Sequence, residues 1–189
     1  QRGRCEATAV AATIRGARCL TAVSTGLRPL PPEQRADAVR GFDLLHSNGL
    51  TAADSLARAL PGGLREKKPL PLHLLGLRRR GRADAIPILS CQADGSLTLG
   101  ERLAPGAHFS WVCRQPLAAE RDMAESLAGI AAHCPHPFFA LMFSCIGRGP
   151  LFYGDDDRDL AAFRHGFPGV PLLGAYGTGQ FAFCNGTNQ

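Results

Sequence analysis

The sequence predicts an α/β (α+β) fold, a mixed and largely antiparallel sheet with about three packing helices. Three observations predict it. Four short strand-like runs follow one another at Leu70–Leu77, Ala85–Gln92, Ser96–Arg102 and Ala107–Arg114. Asp94-Gly95 between the second and third is a strong hairpin signal, and adjacent hairpins make antiparallel neighbours. After Pro116, residues Met123, Leu127, Ile130 and Cys134 fall on one helical face, so helices follow the strands instead of alternating with them. That order disfavours a doubly wound parallel sheet.

The remaining elements follow from the same rules. Ala7–Ile14 and Cys19–Ser24 read as two strands around a turn. Arg28-Pro29-Leu30-Pro31-Pro32 is expected to stop regular structure, because consecutive prolines remove ladder donors. A polar stretch runs to Arg40, and Gly41–His46 reads as a strand before the turn Ser47-Asn48-Gly49. Thr51 can cap a helix over Ala52–Leu60, which Pro61-Gly62-Gly63 ends. Leu64–Pro69 reads as a charged loop. Pro105-Gly106 turns the third of the four central strands into the fourth. Pro135 and Pro137 stop the helix that Pro116 starts. Phe138–Cys145 is almost wholly apolar, as expected of a central strand buried on both faces. Asp155-Asp156-Asp157 places negative charge at the start of a helix whose inner face is Leu160, Phe163 and Phe167. Val170–Tyr176 and Gln180–Cys184 close the chain as strands.

The 189 residues suffice for a well-buried core, and 45% apolar with 20% charged residues is ordinary globular composition. No apolar run reaches the roughly 18 residues of a membrane span, and no signal-peptide pattern is present. The chain starts at Gln1, not Met, so an upstream segment is expected. The charge of +5 comes mostly from scattered arginines, with one dense cluster at Arg78, Arg79, Arg80 and Arg82. No aromatic residues interleave with that cluster, so neither nucleic acid nor membrane is an expected partner. Seven cysteines at irregular spacing contain no Cys-x-x-Cys pair, which removes zinc-ribbon and thioredoxin-like readings and fits reduced thiols in the cytoplasm.

The candidate chemistry lies at two glycine-flanked corners. In Phe143-Ser144-Cys145-Ile146-Gly147-Arg148-Gly149, an apolar strand runs into a loop where Gly147 and Gly149 flank one arginine. The guanidinium of Arg148 can grip a carboxylate or phosphate in a fork. In Gly174-Ala175-Tyr176-Gly177-Thr178-Gly179-Gln180 the glycines lack dinucleotide spacing, and the corner is expected to form the opposite wall of a ligand site.

These two segments, with the short acidic-capped helix between them, resemble the C-terminal half of FIST domains. Gly26-Leu27-Arg28-Pro29-Leu30 is similar to that family's junction between halves, and Asn48-Gly49-Leu50-Thr51-Ala52 to the strand–turn–helix that follows. The resemblance implies that residues 1–30 are the end of an N-terminal half or a linker, and 31–189 a ligand-sensing domain. It implies an intracellular, non-catalytic sensory module that binds a small anionic ligand such as an amino acid. The ligand-binding set is then Arg28, Cys145, Gly147, Arg148, Gly149, Tyr176, Gly179 and Gln180. The implied partners are signalling proteins of kinase, cyclase, chemoreceptor or F-box ligase type. Gln180 stands where the family commonly carries an acidic residue, and Leu27 where cysteine is common.

Two alternatives stay open. Cys145 could act as the nucleophile of a hydrolase or transferase, with His108 or His165 as base. Some bacterial FIST proteins are haem-linked gas sensors, and His133-Cys134-Pro135-His136 is the local cluster able to ligate iron. The cluster lies between helix end and prolines, so neither a bound metal nor a resident cofactor is expected, with haem as the exception to test.

Overall fold

A computed structural model of the chain describes residues 13–82, 84–178, 182–184 and 187–188. Its larger unit is a six-stranded antiparallel barrel. The strands are β1 (Leu27–Arg40), β2 (Asp43–Ser47), β4 (Leu75–Arg79), β5 (Ile86–Cys91), β6 (Leu97–Leu99) and β7 (His108–Arg114). They run in the order β1-β7-β4-β5-β6-β2, and β1 pairs with β2 to close the ring. The two-residue β3 (Leu50–Thr51) pairs with β2 across the turn at Asn48 and Gly49, both at positive φ.

Closure depends on β1 changing partners. Its first half pairs with β7, from Leu27 opposite Arg114 to Arg35 opposite His108. Its second half pairs with β2, from Ala36 opposite Ser47 to Arg40 opposite Asp43. The expectation that Arg28–Pro32 stops regular structure is therefore corrected. A register shift between Leu30 and Gln34 takes Pro31 and Pro32 out of the ladder, which is where a strand tolerates proline.

The barrel interior is filled by alternating residues from every strand, among them Leu30, Leu44, Leu77, Ile86, Leu97 and Phe109. Phe109 and Trp111 meet edge-to-face with centroids 4.9 Å apart. Helix α1 (Ala52–Ala59) is capped by Thr51, whose hydroxyl accepts from the Asp54 amide at 3.2 Å. It buries Ala52, Ser55 and Leu56 against this core. Buried polar atoms there are paired: Trp111 Nε1 donates to Ser55 Oγ at 3.1 Å, and Ser55 Oγ donates to Gln34 Oε1 at 2.9 Å. Gln34 Nε2 donates to the Pro32 carbonyl at 2.7 Å. The loop expected at Leu64–Pro69 begins within a short helix, α2 (Gly62–Arg65).

The second unit is an α/β layer. Helix α3 (Pro116–His133) leads to β8 (Ala140–Cys145), followed by a 3-10 turn (Ile146–Arg148), α4 (Pro150–Tyr153), α5 (Arg158–Gly166) and β9 (Leu172–Gly177). Strands β8 and β9 pair in parallel, Ala140 opposite Leu172 through Cys145 opposite Gly177. Parallel neighbours need a long crossover, which α4 and α5 supply. Leu127 of α3 packs with Phe163 and Phe167, joined by Met123, Ile130, Ala140 and Leu172. The expectation of a strand buried on both faces fails for β8. Its even-numbered residues face the helices, whereas Leu141 and Phe143 are exposed. A further pair, β10 (Phe183–Cys184) and β11 (Thr187–Asn188), is antiparallel.

Cys19–Ser24, expected as a strand, forms none. Its end is tied to α3 across a long sequence separation: Ser24 Oγ and the nearby Gly26 amide both donate to Asp122, at 3.0 and 2.8 Å. Most of Ala7–Ile14 lies outside the described residues, as do Gly179 and Gln180. No helix is long and apolar enough to cross a membrane.

Candidate functional site

The crossover that makes the parallel pair also makes a cleft. Even-numbered side chains of β8 and β9 project toward α5, and an open cavity of about 430 Å3 lies between them. Met142, Leu160, Phe163 and Leu172 give it an apolar lining. Ser144, Asp157, Arg164 and Tyr176 give it two hydroxyls, a carboxylate and a guanidinium. Gly174 also lines it, and a Cβ there would collide with the Met142 carbonyl, so only glycine lets β9 lie this close to β8.

Asp157 ties the cleft to the helix behind it. One carboxylate oxygen accepts from the Leu160 amide at 3.0 Å, capping α5, and the other accepts from the Tyr176 hydroxyl. The Tyr176 phenol is pushed up to about 12 by desolvation and by that bond to a carboxylate. Arg164 extends from the last turn of α5 and is exposed.

Arg148 is placed differently from the expectation. The 3-10 turn carries its side chain inward, where it is 9% exposed. Nε donates to the Tyr153 hydroxyl at 3.1 Å and lies 2.8 Å from Asp159 Oδ2. Nη1 donates to the Ser24 carbonyl at 2.7 Å, and Nη2 to the Ala119 carbonyl and Asp159 Oδ1, both at 3.0 Å. Burial opposes the charge, but the adjacent Asp159 and Tyr153 more than offset it and raise the guanidinium's pKa. The same burial pushes the Tyr153 phenol up to about 12. All three guanidinium nitrogens are thus engaged within the chain, and Arg148 does not line the cleft.

Of the other expected site residues, Tyr176 is the one that lines the cleft. Cys145 ends β8, and its sulfur lies 3.7 Å from where a Gly147 Cβ would stand. Gly149 lies close to the Tyr176 ring edge. Arg28 lies in β1, opposite Cys113 of β7, and donates to Gln115 at 3.1 Å. Ser144, Asp157 and Arg164 were not singled out as binding residues. The available signal was the alternation of β8, which puts Met142 and Ser144 on the face that Leu160 and Phe163 cover.

The alternative chemistries find these surroundings. His108 sits on β7 with Nδ1 3.7 Å from Glu33, and His165 is exposed on α5. His133 Nδ1 lies 2.9 Å from the Gly129 carbonyl, closing the end of α3. Among the described residues no group of three or more His, Cys, Asp or Glu side chains could hold a metal ion. In the basic cluster, Arg79 pairs with Glu101 at 2.8 Å, Arg80 with Glu33 at 3.3 Å and Arg82 with Asp84 at 2.9 Å.

Comparison with known proteins places the sequence in a family. The chain is 25% identical to an uncharacterized protein of Mycobacterium bovis over 191 residues, covering 95% of this chain and 50% of that protein. It is 30% identical to an uncharacterized protein of Mycobacterium tuberculosis over 95 residues, covering 50% of this chain and 25% of that protein. The chain therefore spans at most about half the length of these relatives. No solved structure matches it. The FIST C domain family matches residues 52–182, which include α1, most of the barrel and the whole of the β8–β9 layer, and the chain belongs to that family.

Proposed function

We propose that this domain is a non-catalytic sensory module of the cytoplasm. It binds a small ligand bearing an anionic group, such as an amino acid, in the cleft between β9 and α5, and passes the event to a partner signalling protein. FIST C membership supports the sensory role. The observation that carries the site is the pairing of Arg164 and Asp157 on one apolar cleft with the Ser144 and Tyr176 hydroxyls. A guanidinium can take a carboxylate in a fork, and a carboxylate beside hydroxyls can take an ammonium. An apolar lining with few polar groups is the usual make-up of a small-molecule site. The gripping role first read for Arg148 passes to Arg164, because the Arg148 donors are held by Asp159, Tyr153 and two backbone carbonyls.

The test is a thermal-shift panel of the twenty amino acids, their decarboxylated amines and common nucleotides. Binding to the folded state raises the melting point by linkage. At least one carboxylate-bearing compound should raise it in the wild type and lose that effect in Arg164→Ala. A panel without any shift, or a shift that survives Arg164→Ala, sinks the assignment.

A further inference from the structure

The polar groups of the cleft are sorted by kind. Where α5 begins, the Tyr176 hydroxyl gives its one proton to Asp157, and Asp157 also accepts from the Leu160 amide. What this end still offers is the lone pairs of both side chains, with Ser144 of β8 directly opposite Tyr176. Among the described residues the Ser144 hydroxyl has no partner and Arg164 has no acid. A guanidinium only donates, so Arg164 needs an acceptor, whereas the Asp157 end needs a donor. Helix α5 holds these two poles apart. Arg164 comes seven residues after Asp157, two turns on and about 10 Å along the axis. Strand β9 repeats the spacing: Tyr176 meets Asp157, while Phe163, the residue before Arg164, packs in the group that contains Leu172, four positions back along the strand. Helical side chains lean toward the N-terminus, which shortens the gap by about one turn at most, and no ion pair closes it. Met142, Leu160 and Gly174 line the cleft as well and add no polar side chain.

We infer that the ligand of this cleft is bipolar, with an ammonium at the Asp157, Tyr176 and Ser144 end and a carboxylate on Arg164, joined by an apolar chain of about four carbons. This rests on the cleft being the ligand site, as proposed above, and names the class of molecule it takes. A ligand lying along α5 meets both poles sideways, so its own charges must stand about 5–10 Å apart, one to two helical turns. An ω-amino carboxylate meets that demand. An α-amino acid with an apolar side chain carries both charges on one carbon, so it fills one pole and leaves the other to water. Lysine and glutamate meet the demand only through their side chains. The apolar lining between the poles suits a methylene chain, which it removes from water along its length.

The test is a thermal-shift titration with 5-aminopentanoate and three controls. Norvaline has the same atoms with both charges on one carbon; pentanoate and pentylamine carry one charge each. 5-Aminopentanoate should stabilise the domain at concentrations about tenfold below those any control needs. The effect should vanish in Arg164→Ala and in Asp157→Asn, the second of which keeps an oxygen to cap α5. Norvaline acting as strongly as 5-aminopentanoate, with loss in Arg164→Ala, keeps the cleft as the ligand site and overturns the spacing. A shift lost in Arg164→Ala but kept in Asp157→Asn leaves a single pole and overturns it too. No shift from 5-aminopentanoate also overturns it: the cleft stands if a compound of the earlier panel acts through Arg164, and otherwise both readings fall. A shift that survives Arg164→Ala removes both as well.

Discussion

Arg148 and Asp159 meet in a two-point contact, Nε to Oδ2 at 2.8 Å and Nη2 to Oδ1 at 3.0 Å, with both side chains almost removed from solvent. A buried ion pair adds little over a well-packed apolar substitute, but removing one partner strands the other charge. Arg148→Ala and Asp159→Ala should each destabilise the domain by about 3–5 kcal/mol. Urea denaturation at neutral pH reads the loss. A fall of under about 1 kcal/mol in both variants would show that the pair is solvated in solution.

Tyr153 gives the same cluster an alkaline limit. Its phenol, buried and bonded to Asp159 Oδ1 at 2.8 Å, is pushed from 10.0 to about 12. The folded state therefore holds the proton more tightly than the unfolded state. That stabilisation is complete below pH 10 and is lost as pH rises toward 12, amounting to about 2–3 kcal/mol at most. Stability measured across that window should fall more steeply in the wild type than in Tyr153→Phe. Parallel curves would mean that the phenol does not titrate with folding.

Gly26 joins Ser24, which is held against α3, to the start of β1. Its φ is +65°, and a Cβ there would stand 2.8 Å from the Ala119 Cβ. Gly26→Ala combines an unfavourable backbone conformation with a clash and should cost about 1–3 kcal/mol. Gly41 also has positive φ but open space around it, so Gly41→Ala should cost less. Chemical denaturation of the two variants side by side checks the order.

Inside the barrel, Ser55 relays a hydrogen bond from Trp111 to Gln34. Ser55→Ala leaves the indole N–H and one amide acceptor short of a partner, at about 1–3 kcal/mol. Trp111 is the only tryptophan, so its fluorescence reports the change directly. An unchanged emission maximum and unchanged stability would show that the network is replaced by other contacts.

The barrel was legible where local rules and the final fold agree. The strand-like runs Ala85–Gln92, Ser96–Arg102 and Ala107–Arg114, with a turn at Asp94-Gly95, located β5, β6 and β7. Thr51 announced α1, and Asp157 announced α5. Reading failed where a tertiary contact decides. Pro31 and Pro32 read as a stop, yet a bulge lets β1 pass them, and nothing local shows that a second strand waits on the far side. Phe138–Cys145 is equally apolar whether one face or both are covered, so its exposed face was invisible. The burial of Arg148 was hidden for a related reason. The letters Gly147-Arg148-Gly149 mark a loop that could present an arginine outward, but not that Asp159 and Tyr153 would draw it in. Arg164, which does reach the cleft, looks from sequence like any arginine on the solvent side of a helix.

The change of partners within β1 has a consequence for how the protein is made. Leu27 and Arg114, paired in the finished barrel, are 87 positions apart. A chain emerging from the ribosome completes β1 and β2 early, yet the ring cannot close until β7 has left the exit tunnel. Until then the first half of β1 and the free side of β4 present unsatisfied edges, and such long-range closure is slow. A nascent chain stalled before residue 108 should therefore be held open by its own topology, and release of β7 is the event that converts two strand edges into a sealed wall.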